Sequence, residues 1–301
     1  MNWVNCESYI ELCPPTEFSF DEYLVFLGRS NLEVLHQIKE GSLYKLLSFN
    51  GDFIIIKISN CLGAIRVDFP LGKPSNSICE KVAKYIEEWF DLNKDLSCFY
   101  ELAQNDRVLK PLVQKYYGLR VIGISDLFEA LTWAIMGQQI NLTFAYTLKR
   151  RFVEQFGEKF EWEGASYWAY PSPQVIAAID INDLKKLQFT SRKSEYIIDL
   201  AKEMATGNLT KESIIRKNDY EQRYQSLMSI RGVGAWTADY VMMKCFNHST
   251  AFPIADVGLH NALKIQLELD RKPTIEEIED MALNWSGWEA YATFYLWRSL
   301  L

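Results

Sequence analysis

The run Leu227-Met228-Ser229-Ile230-Arg231-Gly232-Val233-Gly234-Ala235-Trp236-Thr237-Ala238-Asp239-Tyr240-Val241 is where residue types and spacing point most directly to chemistry. It reads as the end of one helix, a glycine-rich turn and the start of another. Gly232 and Gly234 permit backbone angles that other residues avoid, and they put no side chain in the way of a close ligand. The helix that follows presents unpaired amides and the positive end of its dipole, which suits a phosphate oxygen. Such a contact positions a nucleic-acid backbone without reading its sequence. Taken alone, a GxG before a helix is equally the mark of a plain tight turn. Trp236 and Tyr240, four residues apart, share one face of the new helix. Asp256 stands at the start of a further helix, where position alone makes it an N-cap. Cys245-Phe246-Asn247-His248 offers too few ligands for zinc.

The chain that must position these groups has 301 residues, 49% apolar and 24% charged. That is enough to bury a large core without disulfides, and its length predicts two domains. No apolar run reaches the ~18 residues of a membrane span. Met1 to Glu7 shows neither the basic nor the apolar region of a signal peptide. A cytoplasmic protein with no membrane partner is expected, nucleoid-associated if prokaryotic. Six cysteines (6, 13, 61, 79, 98 and 245) form no CxxC and predict reduced thiols. The net charge of −7 argues against a uniformly basic nucleic-acid binder. The charge is uneven, however: residues 1–119 carry −4, 120–250 carry +1 and 251–301 carry −4. The middle holds Lys149-Arg150-Arg151, Lys185-Lys186, Arg192-Lys193 and Arg216-Lys217. Each alone reads as a solvated helix face; together they suggest a polyanion.

The chain changes character near residue 110, which predicts an N-terminal antiparallel sheet-and-helix domain over 1–110 and an all-helical core over 111–301. Ser42 to Phe49 runs into Asn50-Gly51 and then Asp52 to Ile58, a strong hairpin signal. A third strand is expected over 64–69, and helical spacing follows from Ser77 to Phe90. From Asp126 onward almost everything reads as helical, with Ser125 or Asp126 as an N-cap. A second helix covers about 142–156, stopped by Gly157. More are expected near 173–179, 182–187, 192–205, 219–229, 235–246, 256–267, 274–284 and 287–300.

The glycine-rich string resembles the helix-hairpin-helix of the DNA glycosylase superfamily, LxxIxGxGxxTA, followed about 20 residues later by a catalytic aspartate. Ala251-Phe252-Pro253-Ile254-Ala255-Asp256-Val257-Gly258-Leu259 matches that family's FPxxDxGL. Ile135-Met136-Gly137-Gln138-Gln139-Ile140 is similar to the GQQ segment of the 3-methyladenine DNA glycosylase II (AlkA-type) branch. Trp285-Ser286-Gly287-Trp288-Glu289-Ala290-Tyr291-Ala292 resembles that branch's WxPWRxxA, with Gly287 for Pro and Glu289 for Arg. The resemblance spans about 126–298. It implies a mainly α fold: a helical glycosylase core of two lobes with the active-site cleft between them, plus a TBP-like N-terminal antiparallel α+β domain.

The resemblance further implies a monofunctional DNA glycosylase that flips out and hydrolyses away alkylated bases in base excision repair. Asp256 is then the catalytic carboxylate facing the cation that develops on the sugar. Flipping needs a pocket and a plug. Family position puts Gln139 at the plug, after Gln138, and Trp236, Tyr240 and Trp288 around the extruded base, where rings suit cationic alkylated purines. The DNA contacts implied are Gln138, Gln139, Arg231, Gly232, Val233, Gly234, Ala235, Trp236, Thr237 and His260. A structural Na⁺ or K⁺ on the carbonyls of Met228, Ile230 and Gly232 is implied, with no other cofactor. Bifunctional relatives place a Schiff-base lysine where Trp236 stands, so water is the expected nucleophile. No cysteine follows Cys245, so no C-terminal iron–sulfur cluster is expected. The expected partner is double-stranded DNA carrying damaged bases, bound by a monomer. Two alternatives stay open: an 8-oxoguanine or other oxidised-base glycosylase, and a lesion-binding protein without catalysis, which would have no need of Asp256.

Overall fold

A computed structural model describes residues 3–49 and 51–301. Its strands are β1 (Trp3–Asn5), β2 (Tyr9–Leu12), β3 (Gln37–Lys39), β4 (Ser42–Phe49), β5 (Asp52–Cys61), β6 (Ala64–Asp68), β7 (Glu158–Trp162) and β8 (Ala165–Ala169). Its first helices are α1 (Phe20–Leu27), α2 (Asn76–Trp89), α3 (Ser97–Asn105), α4 (Leu109–Lys115), α5 (Leu127–Gly137), α6 (Leu142–Phe156), α7 (Pro173–Ala177) and α8 (Ile181–Lys186). They continue as α9 (Ser191–Ala205), α10 (Lys211–Ile215), α11 (Tyr220–Met228), α12 (Ala235–Lys244), α13 (Val257–Gln266), α14 (Ile275–Ala282) and α15 (Glu289–Arg298). The chain forms two compact units. One comprises residues 1–13, 30–85 and 126–233; the other comprises 14–29, 86–125 and 234–301.

In the first unit an antiparallel sheet runs in the order β1-β2-β6-β5-β4-β3. The expected β4–β5 hairpin forms, with Phe49 opposite Asp52 and Gly51 at φ 90°, while Asn50 lies outside the described residues. β1, β2 and β3 add to the three strands expected. At three or four residues each they are too short for alternation to show. A larger departure is the β7–β8 hairpin, which overturns an almost wholly helical chain beyond residue 126. Its turn is Glu163-Gly164, both in left-handed backbone at φ 46° and 73°. The hairpin forms because its aromatic residues find a partner surface. Tyr167 packs with Leu46 and Ile55, and Phe160 lies 6.2 Å from Phe53, ring centre to ring centre. Covered there, the β5 run Ile54-Ile55-Ile56 is buried on both sides.

The helices of this unit gather on α5, whose residues from Leu127 to Met136 are buried except Glu129. Asp126 caps it, accepting from the Glu129 amide at 2.7 Å, and Lys193 Nζ of α9 donates to the Met136 carbonyl at its far end, 2.7 Å. Lys149 of α6 is buried against Glu33 at 3.0 Å and Glu129 at 3.4 Å. Burial would push the Glu33 carboxyl up, but Lys149, His36 and the Leu35 amide outweigh it and hold it well below the usual range.

The second unit packs α12, α13 and α15 with α1, α3 and α4 around an aromatic core. Fully buried Arg120 donates to the carbonyls of Asp91, Glu17 and Lys94. Tyr291 of α15 donates its hydroxyl to Asp91 at 2.5 Å. Trp285 donates its indole N–H to Asp106 at 3.1 Å. These bonds satisfy the polar groups of a dense interior and tie down the first turn of α15 and the 3₁₀ turn before it.

Candidate active site

The glycine turn forms as its sequence suggests, and its two glycines differ. After α11 ends at Met228, the Ile230 amide donates to Leu227 O and the Val233 amide to Ile230 O, both at 3.0 Å. Gly232 sits at φ +91°, and a Cβ there would lie 2.4 Å from Cγ of Tyr196 on α9. Only glycine fits, because the turn is pressed onto an aromatic ring in left-handed backbone. Gly234 has φ −102° and ψ −179°, ordinary extended backbone, with open space around it. The fold here does not require glycine, and the position leaves room for an approaching ligand.

Two further contacts fasten this turn. Gln138 Nε2 donates to the Gly232 carbonyl at 2.9 Å. Arg231 donates to Asp199 at 2.5 Å and Glu195 at 2.6 Å, with its guanidinium 5.3 Å from the Tyr196 ring centre. Arg231, expected on DNA, is thus neutralised by two carboxylates of α9. Of the three carbonyls proposed for a cation, Ile230 O takes the Val233 amide and Gly232 O takes Gln138. Each carbonyl keeps a second lone pair, so the set fits a hard monovalent ion.

α12 then begins with Gly234 as an N-cap that supplies no side-chain hydrogen bond. By contrast α5, α6, α9, α11 and α13 are each capped by a serine, threonine, asparagine or aspartate type of oxygen. Gly234 and Ala235 are exposed, so the open end of this helix faces solvent. Val233 and Thr237 are buried at 7% and 2% exposure. Their side chains belong to the core, and only backbone at this end can meet a phosphate.

Asp256 is both the expected N-cap and more. Its Oδ1 accepts from the Leu259 amide of α13 at 2.8 Å. The same oxygen accepts from Trp297 Nε1 of α15 at 2.8 Å. Its Oδ2 accepts only the Trp236 indole N–H of α12, at 3.0 Å, among the hydrogen bonds of the described residues. The carboxylate is half-buried, and its three partners are all N–H donors from three helices. Such a group is an oriented acceptor with one oxygen occupied by two donors and the other by one. It can face a developing cation or hold a water.

The aromatic wall differs from the expected trio. Trp236 and Tyr240 stack with centres 5.5 Å apart and planes at 29°, too close to admit a base between them. Tyr240 also lies 6.2 Å from Trp297 and is 8% exposed, so it backs the wall. Trp236 is half-buried. Trp288 packs on Phe99 at 5.8 Å and Tyr291 at 5.6 Å. Trp297 was not foreseen. Its one signal in sequence is Gly258, where a Cβ would stand 3.3 Å from the Trp297 indole and 2.9 Å from Asp256 Oδ1. A glycine in the first turn of a helix marks a close neighbour.

In the first unit, Gln139 follows α5 in left-handed backbone at φ 56° and is exposed. Strain of this kind, about 1–3 kcal/mol for a non-glycine residue, collects at functional positions. His260 places Nε2 2.8 Å from the Ile254 carbonyl, which can only accept. Nε2 therefore carries the proton, and Nδ1 is the nitrogen left for another contact.

The chain belongs to the HhH-GPD superfamily of base excision DNA repair proteins, whose family model matches residues 132–287. The model of the 8-oxoguanine DNA glycosylase N-terminal domain matches residues 16–131. Among relatives, a DNA-3-methyladenine glycosylase of Bacillus subtilis (strain 168) is 43% identical over the full length of both chains. Among solved structures, a 3-methyladenine DNA glycosylase from Archaeoglobus fulgidus superposes with TM-score 0.81 at 22% identity, covering 99% of this chain and 97% of that one. An 8-oxoguanine glycosylase/lyase from Clostridium acetobutylicum, in complex with double-stranded DNA, superposes with TM-score 0.77 at 18% identity, covering 99% and 97%. The fold is thus common to enzymes acting on different lesions, and the residues of the site must distinguish them.

Proposed function

We propose that this chain is a monofunctional DNA glycosylase that extrudes alkylated purines of the 3-methyladenine and 7-methylguanine type from duplex DNA and hydrolyses their N-glycosidic bonds. The observation that carries this is Asp256, held by the indole N–H groups of Trp236 and Trp297 beside the open end of α12. The likeness to the B. subtilis glycosylase supports the lesion class.

In the reaction the C1′–N bond breaks and its electron pair leaves with the base. An N-alkylated purine already carries positive charge, so it departs as a neutral molecule without first being protonated. The sugar becomes an oxocarbenium ion, stabilised by Asp256 Oδ2. Water adds to C1′, and Asp256 takes its proton. The ring of Trp236 stacks on the cationic base. The α12 amides grip a backbone phosphate, Gln139 fills the gap left in the duplex, and His260, in its imidazolium form with a proton on both ring nitrogens, donates from Nδ1 to a second phosphate. A monovalent cation, where bound, would be held by the carbonyls of Met228, Ile230 and Gly232 and would supply positive charge to the glycine turn; the steps at C1′ use only this chain and water.

Trp236 stands where a lyase would need an amine. The lysine of α12, Lys244, is buried with Nζ 4.7 Å from the Phe294 ring centre, out of reach of solvent DNA. The test offers duplexes with 3-methyladenine, 7-methylguanine, hypoxanthine or 8-oxoguanine and measures released base, strand nicking and borohydride trapping. Release of methylated purines with an intact abasic strand is expected. Preferential release of 8-oxoguanine, or a trapped covalent complex, would overturn the proposal.

A further inference from the structure

We infer that Trp297 is a positioning residue for the reaction: its indole N–H occupies Asp256 Oδ1 and thereby leaves Oδ2 as the oxygen that meets the sugar. This rests on the glycosylase reading above and adds a residue to it. The bond is 2.8 Å, against 3.0 Å for Trp236 on Oδ2. Oδ1 already accepts the Leu259 amide, so the indole fills its second acceptor site. An N-cap aspartate without such a partner needs only one donor, and its carboxyl can rotate about χ2 to exchange its oxygens. With donors from α12, α13 and α15, that rotation would break all three bonds at once.

The surroundings are shaped to hold the indole there. Gly258 leaves the space that a Cβ would take from Trp297 and Asp256 together. The Trp297 ring is braced by Phe294 edge-on at 6.3 Å and by Tyr240 at 6.2 Å. The next residue, Arg298, is pinned by its ion pair with Glu22 at 2.7 Å. Tyr240 touches both indoles, so its burial serves the carboxylate through them.

The test uses the full chain with Trp297→Phe, and with benzothienylalanine at position 297, which keeps the bicyclic ring but replaces N–H by sulfur. Single-turnover release of 7-methylguanine from a methylated duplex is expected to fall about 10–100-fold in both, the size of one lost donor to a charged group. Affinity for a duplex holding a non-hydrolysable abasic analogue is expected to stay within about 2-fold. A readout independent of substrate accompanies it. The Trp297 Nε1–H resonance, assigned by its loss in Trp297→Phe, is expected to move upfield and exchange faster with solvent in Asp256→Ala. An unmoved resonance overturns the inference. So does a rate loss matched by an equal loss of affinity, or a benzothienylalanine enzyme as fast as wild type. If the wild type released no methylated base, the glycosylase reading would fail by itself, and the resonance would still decide whether Trp297 orients Asp256.

Discussion

Replacing each glycine of the hairpin by alanine gives two opposite outcomes, although the sequence presents them as equals. At Gly232 an alanine must hold φ near +91°, which costs an L-residue about 1–2 kcal/mol. Its Cβ would also stand 2.4 Å from Cγ, 2.5 Å from Cδ2 and 2.9 Å from Cβ of Tyr196. A change of χ1 would swing Cγ and Cδ2 away but leaves Cβ where it is, so the α9 backbone must still shift, for about 1–3 kcal/mol more. The smaller unfolded-state entropy of alanine returns about 0.4–1 kcal/mol. The net loss is about 2–4 kcal/mol, or roughly 5–15 °C in the melting transition of the unit that contains it. At Gly234 the backbone is extended and nothing lies within 4 Å of an added Cβ. The N-cap penalty of alanine and the entropy gain offset each other to within about 0.5 kcal/mol. Thermal melts and duplex titrations over a range of salt measure both. Gly232→Ala is expected to melt early; Gly234→Ala is expected to melt normally yet bind DNA more weakly, since its methyl group takes up open space at the exposed start of α12. A stable Gly232→Ala protein would refute the close packing of the turn on α9.

Trp236→Phe should keep the ring on Tyr240 but lose the donor to Oδ2, slowing single-turnover base release about 10–100-fold while duplex affinity changes little. Glu33→Gln should destabilise the chain by about 3–5 kcal/mol in urea melts, because Lys149 is left buried with Glu129 as its remaining carboxylate. The Glu33 carboxyl is depressed in the folded state, so its contribution is present above the unfolded value near pH ~4.3 and is lost as pH falls below it. Wild-type stability should fall between about pH 4 and 2, and less steeply in Glu33→Gln. Lys244→Met should raise stability at pH 7 by about 1 kcal/mol or more, since burial pushes this ammonium well below its usual range, and the variant should excise bases at the wild-type rate.

Much of the molecule is legible in its sequence for physical reasons. The β4–β5 hairpin announces itself because Asn-Gly suits a turn that only left-handed backbone can make. α5, α6, α9, α11, α13 and α14 show because their apolar residues recur at helical spacing and their caps carry short polar side chains, whereas α10 is hidden because five residues are too few for the spacing to show. β7–β8 is hidden because its alternation lasts five residues and its turn is Glu-Gly; it is a strand only in contact with β4 and β5. At the site, Asp256, Trp236 and Tyr240 are legible as a set, and Asp256 proves to be cap and candidate nucleophile-activating group at once. Trp297 is not, because it lies 41 residues beyond Asp256 and reaches it only through the fold. The partners of Arg231 are hidden for a similar reason: nothing in its own neighbourhood of sequence shows Glu195 and Asp199, 36 and 32 residues upstream, pairing with it.

Asp256→Asn is the most direct measurement, because the amide can be oriented in only one sensible way. Its oxygen must take the Oδ1 place, facing two donors, which turns its NH₂ toward the Trp236 indole N–H and removes the negative charge from the sugar side. Release of methylated purine under single-turnover conditions is expected to fall by at least about 100-fold with duplex binding retained. Release within about 10-fold of wild type, by a folded Asp256→Asn protein, would contradict the central claim that this carboxylate drives the bond cleavage.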